Sequence, residues 1–424
     1  MLLNVLDFPP AASAVGVQAA FDAASNGDRI YFPAGWIYSP PANMAWKVTK
    51  SLEIFGDGPG RAGSKSGTWL TRSGLSPDSP IFEFTPAAGA SDLGPVFLHD
   101  LQFLGKDPVS QPTPDLSPLK CTLSSTQRIQ SLRIERVVLI NARGPALALD
   151  ASPGTIDMLT LKYVFVSGAL IGSSINSGLG IMLKNVSLAR LDRCGGGENV
   201  SGWLKAESCG VSLYVTETEH NATDSNATQG EVLLQSCTIA HVDSCRFERF
   251  YEGPKRLALE FVNVGGAALA MCNSFVKPNT AVTSTGIKIT GIAASDNVPV
   301  SVFPNNFIRV YGDSTSGGMV DALTSHQGCV IFPQFDAAES QGVPSVEGQI
   351  KLPSPLKDGL MAIPQIPRSG PLANATAGLI VPSGASLPTT SVQNGMLFYR
   401  RTPIDDEDLY VRINGAWRRI VALP

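Results

Sequence analysis

Charge is scarce in this sequence of 424 residues: Asp, Glu, Lys and Arg make up only 16%, against about 25% in an ordinary globular domain. With a net charge of −4, the chain lacks the basic footprint that nucleic acid requires. Histidine is rarer still, at His99, His220, His241 and His326, and each reads as an exposed or corner residue rather than a ligand. The seven cysteines (121, 194, 209, 237, 245, 272 and 329) include no CxxC pair, and their odd count and wide spacing exclude a zinc motif or a complete disulfide framework. No run approaches the ~18 apolar residues of a membrane helix. No nucleophile elbow, P-loop, dinucleotide fingerprint or HExxH occurs. No cofactor, metal, nucleic-acid partner or membrane insertion is therefore expected. Met1-Leu2-Leu3-Asn4 carries no basic n-region, and Asp7 and Pro9-Pro10 interrupt any apolar stretch. No secretory leader is expected, and the thiols read as reduced and buried. The Asn-x-Ser/Thr sequons at Asn185, Asn199, Asn221, Asn226 and Asn374 then read as accidents of composition.

What is abundant is turn chemistry: 41 glycines and 31 prolines beside 43% hydrophobic residues. Such a chain leaves little room for long helices, and disorder and coiled coil are excluded. The apolar residues follow a template at relative positions 0, +2, +5 and +7. It reads Val96-Leu98-Leu101-Phe103, Leu132-Ile134-Val137-Leu139, Leu159-Leu161-Val164-Val166 and Ile181-Leu183-Val186-Leu188. Leu204-Ala206-Cys209-Val211, Val232-Leu234-Cys237-Ile239, Leu257-Leu259-Val262-Val264 and Ile287-Ile289-Ile292-Ala294 continue it. Two inward residues at period 2, a polar corner, then two more inward residues describe a bent strand. One such strand per ~22–30 residues predicts stacked coils with a continuous core, an all-β solenoid. Cys209 and Cys237 at +5, and Cys194 and Cys245 at +13, predict an internal stack of small apolar side chains. The +3 positions, His99, Glu135, Lys162, Lys184, Glu207, Gln235 and Glu260, read as one solvated ladder of ion pairs. At the start, Val17, Ala20, Phe21 and Ala24 at helical spacing predict a cap helix stopped by Asn26-Gly27-Asp28. Strand Arg29-Ile30-Tyr31-Phe32 follows.

The run Gln18–Ala24, then Arg29-Ile30-Tyr31-Phe32-Pro33-Ala34-Gly35, then Ser51-Leu52-Glu53-Ile54-Phe55-Gly56-Asp57-Gly58 resembles the pectate-lyase-like right-handed parallel β-helix superfamily. The likeness covers roughly residues 16–70 by motif and reaches about 310 by pattern. It implies a single-stranded right-handed parallel β-helix with a short N-terminal cap helix, and says little of activity. The chain departs from that pattern at Asp7-Phe8-Pro9-Pro10-Ala11-Ala12, where a Gly-rich, Asp-rich segment is usual.

The expected organisation is a cap segment over 1–28, the β-helix over 29–334, a Pro/Gly/Ser-rich connector over 335–390 and a small β module over 391–424. In the module, Met396-Leu397-Phe398-Tyr399, Leu409–Ile413 and Trp417–Val421 are strand-like, with Asn414-Gly415 a tight-turn signal. Asp405-Asp406-Glu407-Asp408 lacks calcium-loop spacing and reads as a solvated turn. This end is similar to short C-terminal modules of phage tail fibre and tailspike proteins. Too small to be stable alone, it is expected to fold by association, as a homotrimer.

Any catalysis should rest on carboxylates, as in glycoside hydrolysis, or on a lyase base. Three segments between templates hold the densest polar sets: Ala189–Trp203 with Asp192 and Arg193, Leu213–Gly230 with Tyr214, Glu217, Glu219, His220 and Asp224, and Ala240–Arg256 with Asp243, Glu248, Arg249, Phe250 and Tyr251. As loops of successive coils they would wall a groove. Glu217 and Glu219, two apart on a strand and so about 6.5–7 Å apart, are the expected acid/base pair. Asp192, Asp243 and Glu248 are further carboxylates, and Trp203, Tyr214, Arg249, Phe250 and Tyr251 the expected sugar contacts. The equally open reading for each is a polar residue without catalytic duty. Together these features lead to the expectation of a virion tail protein that binds, and depolymerises, host capsule or lipopolysaccharide beside other tail or baseplate proteins. The alternatives are a non-enzymatic structural or receptor-binding fibre, and a cellular polysaccharide lyase or hydrolase.

Overall fold

The computed structural model describes residues 1–41, 44–60, 66–71, 80–104, 117–140, 145–167, 178–197, 201–219, 230–248, 257–264, 267–276 and 285–290, with short strands alone thereafter. Of Glu219, Ala267, Val276, Thr285 and everything beyond Thr290, only the backbone is described. Two compact units divide the chain, Met1–Ala362 and Ile363–Pro424.

The first unit is all-β, with large parallel sheets and one α-helix among the described residues. This arrangement is consistent with a parallel β-helix. From residue 147 onward each strand pairs with the strand of the next rung, so the sheets resolve into three ladders. Ladder I holds Leu147–Asp150, Leu179–Lys184, Gly202–Glu207, Val232–Gln235, Leu257–Val262 and Thr285–Thr290. Ladder II holds Val186–Asp192, Gly210–Tyr214, Ile239–Asp243 and Ala267–Met271. Ladder III holds Gly195–Gly196, Glu217–Glu219, Arg246–Glu248 and Ser274–Val276. In earlier rungs one long strand, Val96–Leu104, Arg128–Ile140 or Thr155–Ser167, covers ladders II and III together. All pairings within these ladders are parallel, which buries the inward face of every strand. Leu98, Ile134, Leu161, Leu191, Leu213, Val242 and Ala270 stack in register and are all buried. Each Leu or Ile so placed contributes about 1.5–3 kcal/mol.

The corners explain both the success and the error of the sequence template. Between ladders I and II the chain turns at Asn185, Ser208, Ser236 and Asn263; between II and III it turns at Asp100, Arg136, Tyr163, Arg193, Val215, Ser244 and Cys272. Every one has φ between 47° and 57°, the left-handed region that, glycine apart, Asn and Asp tolerate best. Both corners demand the same apolar spacing, so one template matches two columns. Val96, Leu132 and Leu159 lead into the second corner, whereas Ile181, Leu204 and Val232 lead into the first. The single ion-pair ladder expected at +3 is therefore two. Lys162 has Asp192 as its in-register neighbour on the next rung without an ion pair, while Lys184 is in register with Glu207 and bridges to it at 3.5 Å. The seventh match is also displaced by two residues, because Val232 pairs with Leu259 rather than Leu257.

The thiols lie just inside these corners, Cys209 and Cys237 at the first, Cys194 and Cys245 at the second, all buried and free. Their Sγ atoms approach backbone carbonyls, as Cys209 does that of Glu207 at 3.1 Å and Cys245 that of Asp243 at 3.3 Å. Burial pushes the thiols up, to about 11 for Cys209 and about 12 for Cys194, Cys237 and Cys245, which suits packing rather than nucleophilic chemistry.

The cap helix, α1 (Ala14–Ala23), begins at Ser13, whose hydroxyl accepts the Gly16 N–H at 3.0 Å as an N-cap does. Gly16 is required there, since a Cβ would meet the Phe8 carbonyl oxygen at 2.4 Å. Val17, Ala20 and Phe21 are buried, and Phe21 packs edge-on against Phe82 with centroids 5.9 Å apart. Lys50 donates to the carbonyls of Phe21, Asp22 and Ala24, a cation placed where the helix ends negative.

In the second unit Leu397–Arg401, Glu407–Ile413 and Ala416–Leu423 form an antiparallel meander, joined at its edge by Ser383–Gly384. These strands span the segments that the alternation and Asn414-Gly415 predict. In the first unit, Phe335–Asp336, Ile350–Lys351 and Met361–Ala362 extend the parallel ladders to residue 362.

Candidate functional site

The outward face of ladder II, with the corner beyond it, gathers three of the expected residues in one column. Asp192, Tyr214 and Asp243 are consecutive in-register neighbours, so the two carboxylates flank the tyrosine roughly 10 Å apart. Across the second corner, on ladder III, Glu217 pairs in register with Arg246, and Glu219 with Glu248. Arg246 reaches the Glu217 carboxylate at 3.6 Å and also engages Glu248. Glu217 and Glu219 do lie two apart on one strand, Glu217–Glu219.

The described parts of the segments expected to project as groove loops are largely ladder strands, and residues 198–200, 220–229 and 249–256 lie outside the described residues. Ala189, Leu191, Leu213, Ala240 and Val242 are buried strand residues, because the template marks one corner of each rung and leaves the other to be mistaken for an excursion. Trp203 is corrected as a sugar contact: it is 0% exposed and belongs to the interior of the protein. Arg249, Phe250, Tyr251, His220 and Asp224 lie outside the described residues.

Two chemically different zones follow each other along the face. In the earlier rungs, cations and carboxylates are matched. Arg29 binds Glu53 through two nitrogens at 2.9 Å each, Arg136 binds Asp100 at 2.6 and 2.7 Å, and Arg133 and Arg136 both hold Glu135. His99, 8% exposed, places Nδ1 2.6 Å from Asp100 and Nε2 3.0 Å from Glu53. Its ring stacks on Phe55 at 5.3 Å and touches Phe97 at 4.2 Å. Hydrogen bonds from Arg136 hold the Asp100 carboxyl below the usual range. Burial alone would raise Glu53, but bonds from Arg29 and His99 outweigh it and leave the carboxyl lowered. These are anions clasped by cations, unsuited to donating protons. The sequence does carry a signal for this cluster: residues 97, 99, 133 and 135 fall on outward positions of two correctly aligned repeats.

Arg29 and Arg133 also lie over rings, those of Phe55 and Phe97 at 4.7 and 4.6 Å, but in the next rungs three cations on aromatic rings have no carboxylate partner among the described residues. The Arg190 guanidinium sits 5.2 Å from the Tyr214 centroid, Arg193 5.6 Å and Lys162 5.4 Å from that of Tyr163. Arg193 also donates to the Tyr163 hydroxyl at 2.5 Å. Among the described residues no carboxylate oxygen lies within ion-pair distance of these three cations. Rings, cations without a carboxylate partner and the Asp192–Tyr214–Asp243 column thus share one surface. Flat apolar faces beside hydrogen-bonding charges are what a polyhydroxylated ligand requires. No group of three or more His, Cys, Asp or Glu side chains among the described residues is arranged to hold a metal ion. No helix among them is long and apolar enough to cross a membrane.

No family model and no curated protein matches this chain. Among solved structures it is similar to ORF18 of Geobacillus virus E2, at 13% identity and TM-score 0.39, over 99% of this chain and 86% of that one. Tailspike protein 3 of bacteriophage CBA120 aligns at 9% identity and TM-score 0.37, over 100% of this chain and 69% of that one. An alginate lyase from a Paenibacillus species aligns at 12% and 0.34, over 76% and 99%.

Proposed function

We propose that this chain is a phage tail protein of the tailspike kind that binds bacterial surface polysaccharide and cleaves it. Its first unit would be a right-handed parallel β-helix, its second the site of homotrimer association, and its place the virion tail beside other tail or baseplate proteins. One observation carries the glycan reading: Lys162, Arg190 and Arg193 lie against tyrosine rings rather than carboxylates, next to the Asp192–Tyr214–Asp243 column. A chain of sugars laid along that column would meet a new side chain every ~4.8 Å. Three parallel copies would multiply weak contacts by avidity.

Cleavage would use the carboxylates of these rungs, Asp192, Asp243, Glu217, Glu219 and Glu248, as acid and base. The Arg246 bridge between Glu217 and Glu248 favours a second reading, a fibre that binds without cutting, since an arginine-held carboxylate is a poor proton donor. Incubation of the purified protein with capsule or lipopolysaccharide, followed by chain-length measurement, separates the two. Shortening with new ultraviolet absorbance marks a lyase, shortening with new reducing ends alone marks a hydrolase, and retention without shortening marks the fibre.

A further inference from the structure

Ladder III carries a gap in its outer column. Phe165, Gly195 and Glu217 are in-register neighbours on successive rungs, and the middle one has no side chain. A Cβ at Gly195 would stand 4.0 Å from the Phe165 ring and 2.8 Å from the Glu217 carbonyl oxygen. Any other residue there would therefore lie on the ring and press on the next strand. Glycine leaves the ring uncovered, and Phe165 is 46% exposed. Polar groups border the gap: the Glu217 carboxylate one rung on, with a side chain 66% exposed, and at the corner the linked Arg193 guanidinium and Tyr163 hydroxyl.

We infer that this notch is a single-sugar subsite. Phe165 and Glu217 are two rungs apart, about 10 Å, which admits one pyranose ring over the glycine. The apolar C–H face of such a ring covers Phe165, while hydroxyls around its edge reach acceptors on Glu217 and donors on Arg193. A purely apolar ligand would make no use of the polar groups, and an ion would make no use of the ring. The inference rests on the glycan-binding reading above and locates one point of contact within it.

Titration against an array of bacterial capsule and O-antigen polysaccharides tests it, using the full chain. For a polysaccharide that the native protein retains, Phe165→Ala should weaken binding roughly tenfold. Phe165→Tyr, which keeps the platform, should stay within about twofold. Met158→Ser, an equally exposed change seven residues back on the same strand, should leave affinity unchanged and controls for loss of surface apolarity. Native binding with Phe165→Ala at native affinity overturns the subsite and spares the glycan reading. A native protein that retains no polysaccharide overturns both.

Discussion

Asn273 is wholly buried and bridges to Cys245 on the preceding rung: its Oδ1 accepts the Cys245 N–H at 2.9 Å while its Nδ2 donates to the Val242 carbonyl at 3.1 Å. Val164, Cys194, Thr216 and Cys245 occupy the same inner-corner position in earlier rungs, so the column turns from apolar to polar as it proceeds. The left-handed turn just before it exposes backbone groups that a thiol or hydroxyl satisfies only in part and an amide satisfies fully. Asn273→Leu should destabilise the first unit by about 1–3 kcal/mol. A urea midpoint shifted down with unchanged slope would show it, and an unshifted midpoint would mean the bridge is dispensable.

Val215 is the misfit of the second corner, a β-branched residue at φ 47° and 54% exposed. Left-handed backbone costs such a side chain about 1–2 kcal/mol, and little packing offsets it at the surface. Val215→Asn should raise stability by about 1 kcal/mol. Strain of this kind gathers at functional sites, and Val215 separates Tyr214 from Glu217. The same variant should therefore be assayed for polysaccharide binding. A thermal midpoint that falls would contradict the strain argument.

Cys194, Cys209, Cys237 and Cys245 are buried with thiols pushed up to about 11 or 12, whereas Cys272 is exposed at the corner. Iodoacetamide at pH 8 should label Cys272 in the native protein and spare those four until denaturant is added. Peptide mass mapping reads the outcome. Native labelling of any of the four at the rate of Cys272 would show that its corner opens.

Repeat spacing made the parallel strands and the inward residues legible, since Leu98, Ile134 and Leu161 follow from period 2 alone. It could not say which corner a match belonged to, because Tyr163 and Asn185 turn the backbone in the same way and require the same apolar neighbours. That ambiguity read the strands Val186–Asp192, Gly210–Tyr214 and Ile239–Asp243 as parts of loops and set Lys184 rather than Asp192 after Lys162. Trp203 misled for another reason. Alternation with Lys205 and Glu207 sets it on the outward side of ladder I, yet it is fully buried, and what buries an outward residue is not local in sequence. The His99 cluster depends on residues 37 and 46 positions apart meeting side by side, a matter of register that charge counting does not reveal.

Acid should unfold the first unit from this clustered face. Arg136 lowers Asp100, Arg128 lowers Asp92, and Arg29 with His99 lowers Glu53 against burial. A carboxylate lowered in the folded state stabilises fully above its unfolded value, near 4, and that contribution is lost as pH falls through the folded value. Urea midpoints should therefore be insensitive to these groups between about pH 5 and 7 and decline below about pH 4. Asp100→Asn should lower the midpoint at neutral pH and flatten the acid decline. A variant that keeps the native decline would remove Asp100 from this account.

Catalysis, if present, should fail at the carboxylates while binding survives. Asp192→Asn and Asp243→Asn preserve shape and hydrogen bonding beside Tyr214 but end proton transfer and charge. Loss of a general acid or base typically costs 10²–10⁴ in rate. The expected result is a drop of that order in depolymerisation with affinity little changed, for one of these two or for Glu217→Gln. Glu248→Gln releases Arg246 from one of its two carboxylates and should shift its contact toward Glu217. Activity that then falls would assign Glu217 a proton-donating role, and activity that holds an anionic one. Five single Asn or Gln changes at 192, 217, 219, 243 and 248 that all leave chain shortening intact would place the chemistry elsewhere. A native protein that holds polysaccharide for hours at constant chain length would establish the non-cutting fibre, with the same face serving attachment alone.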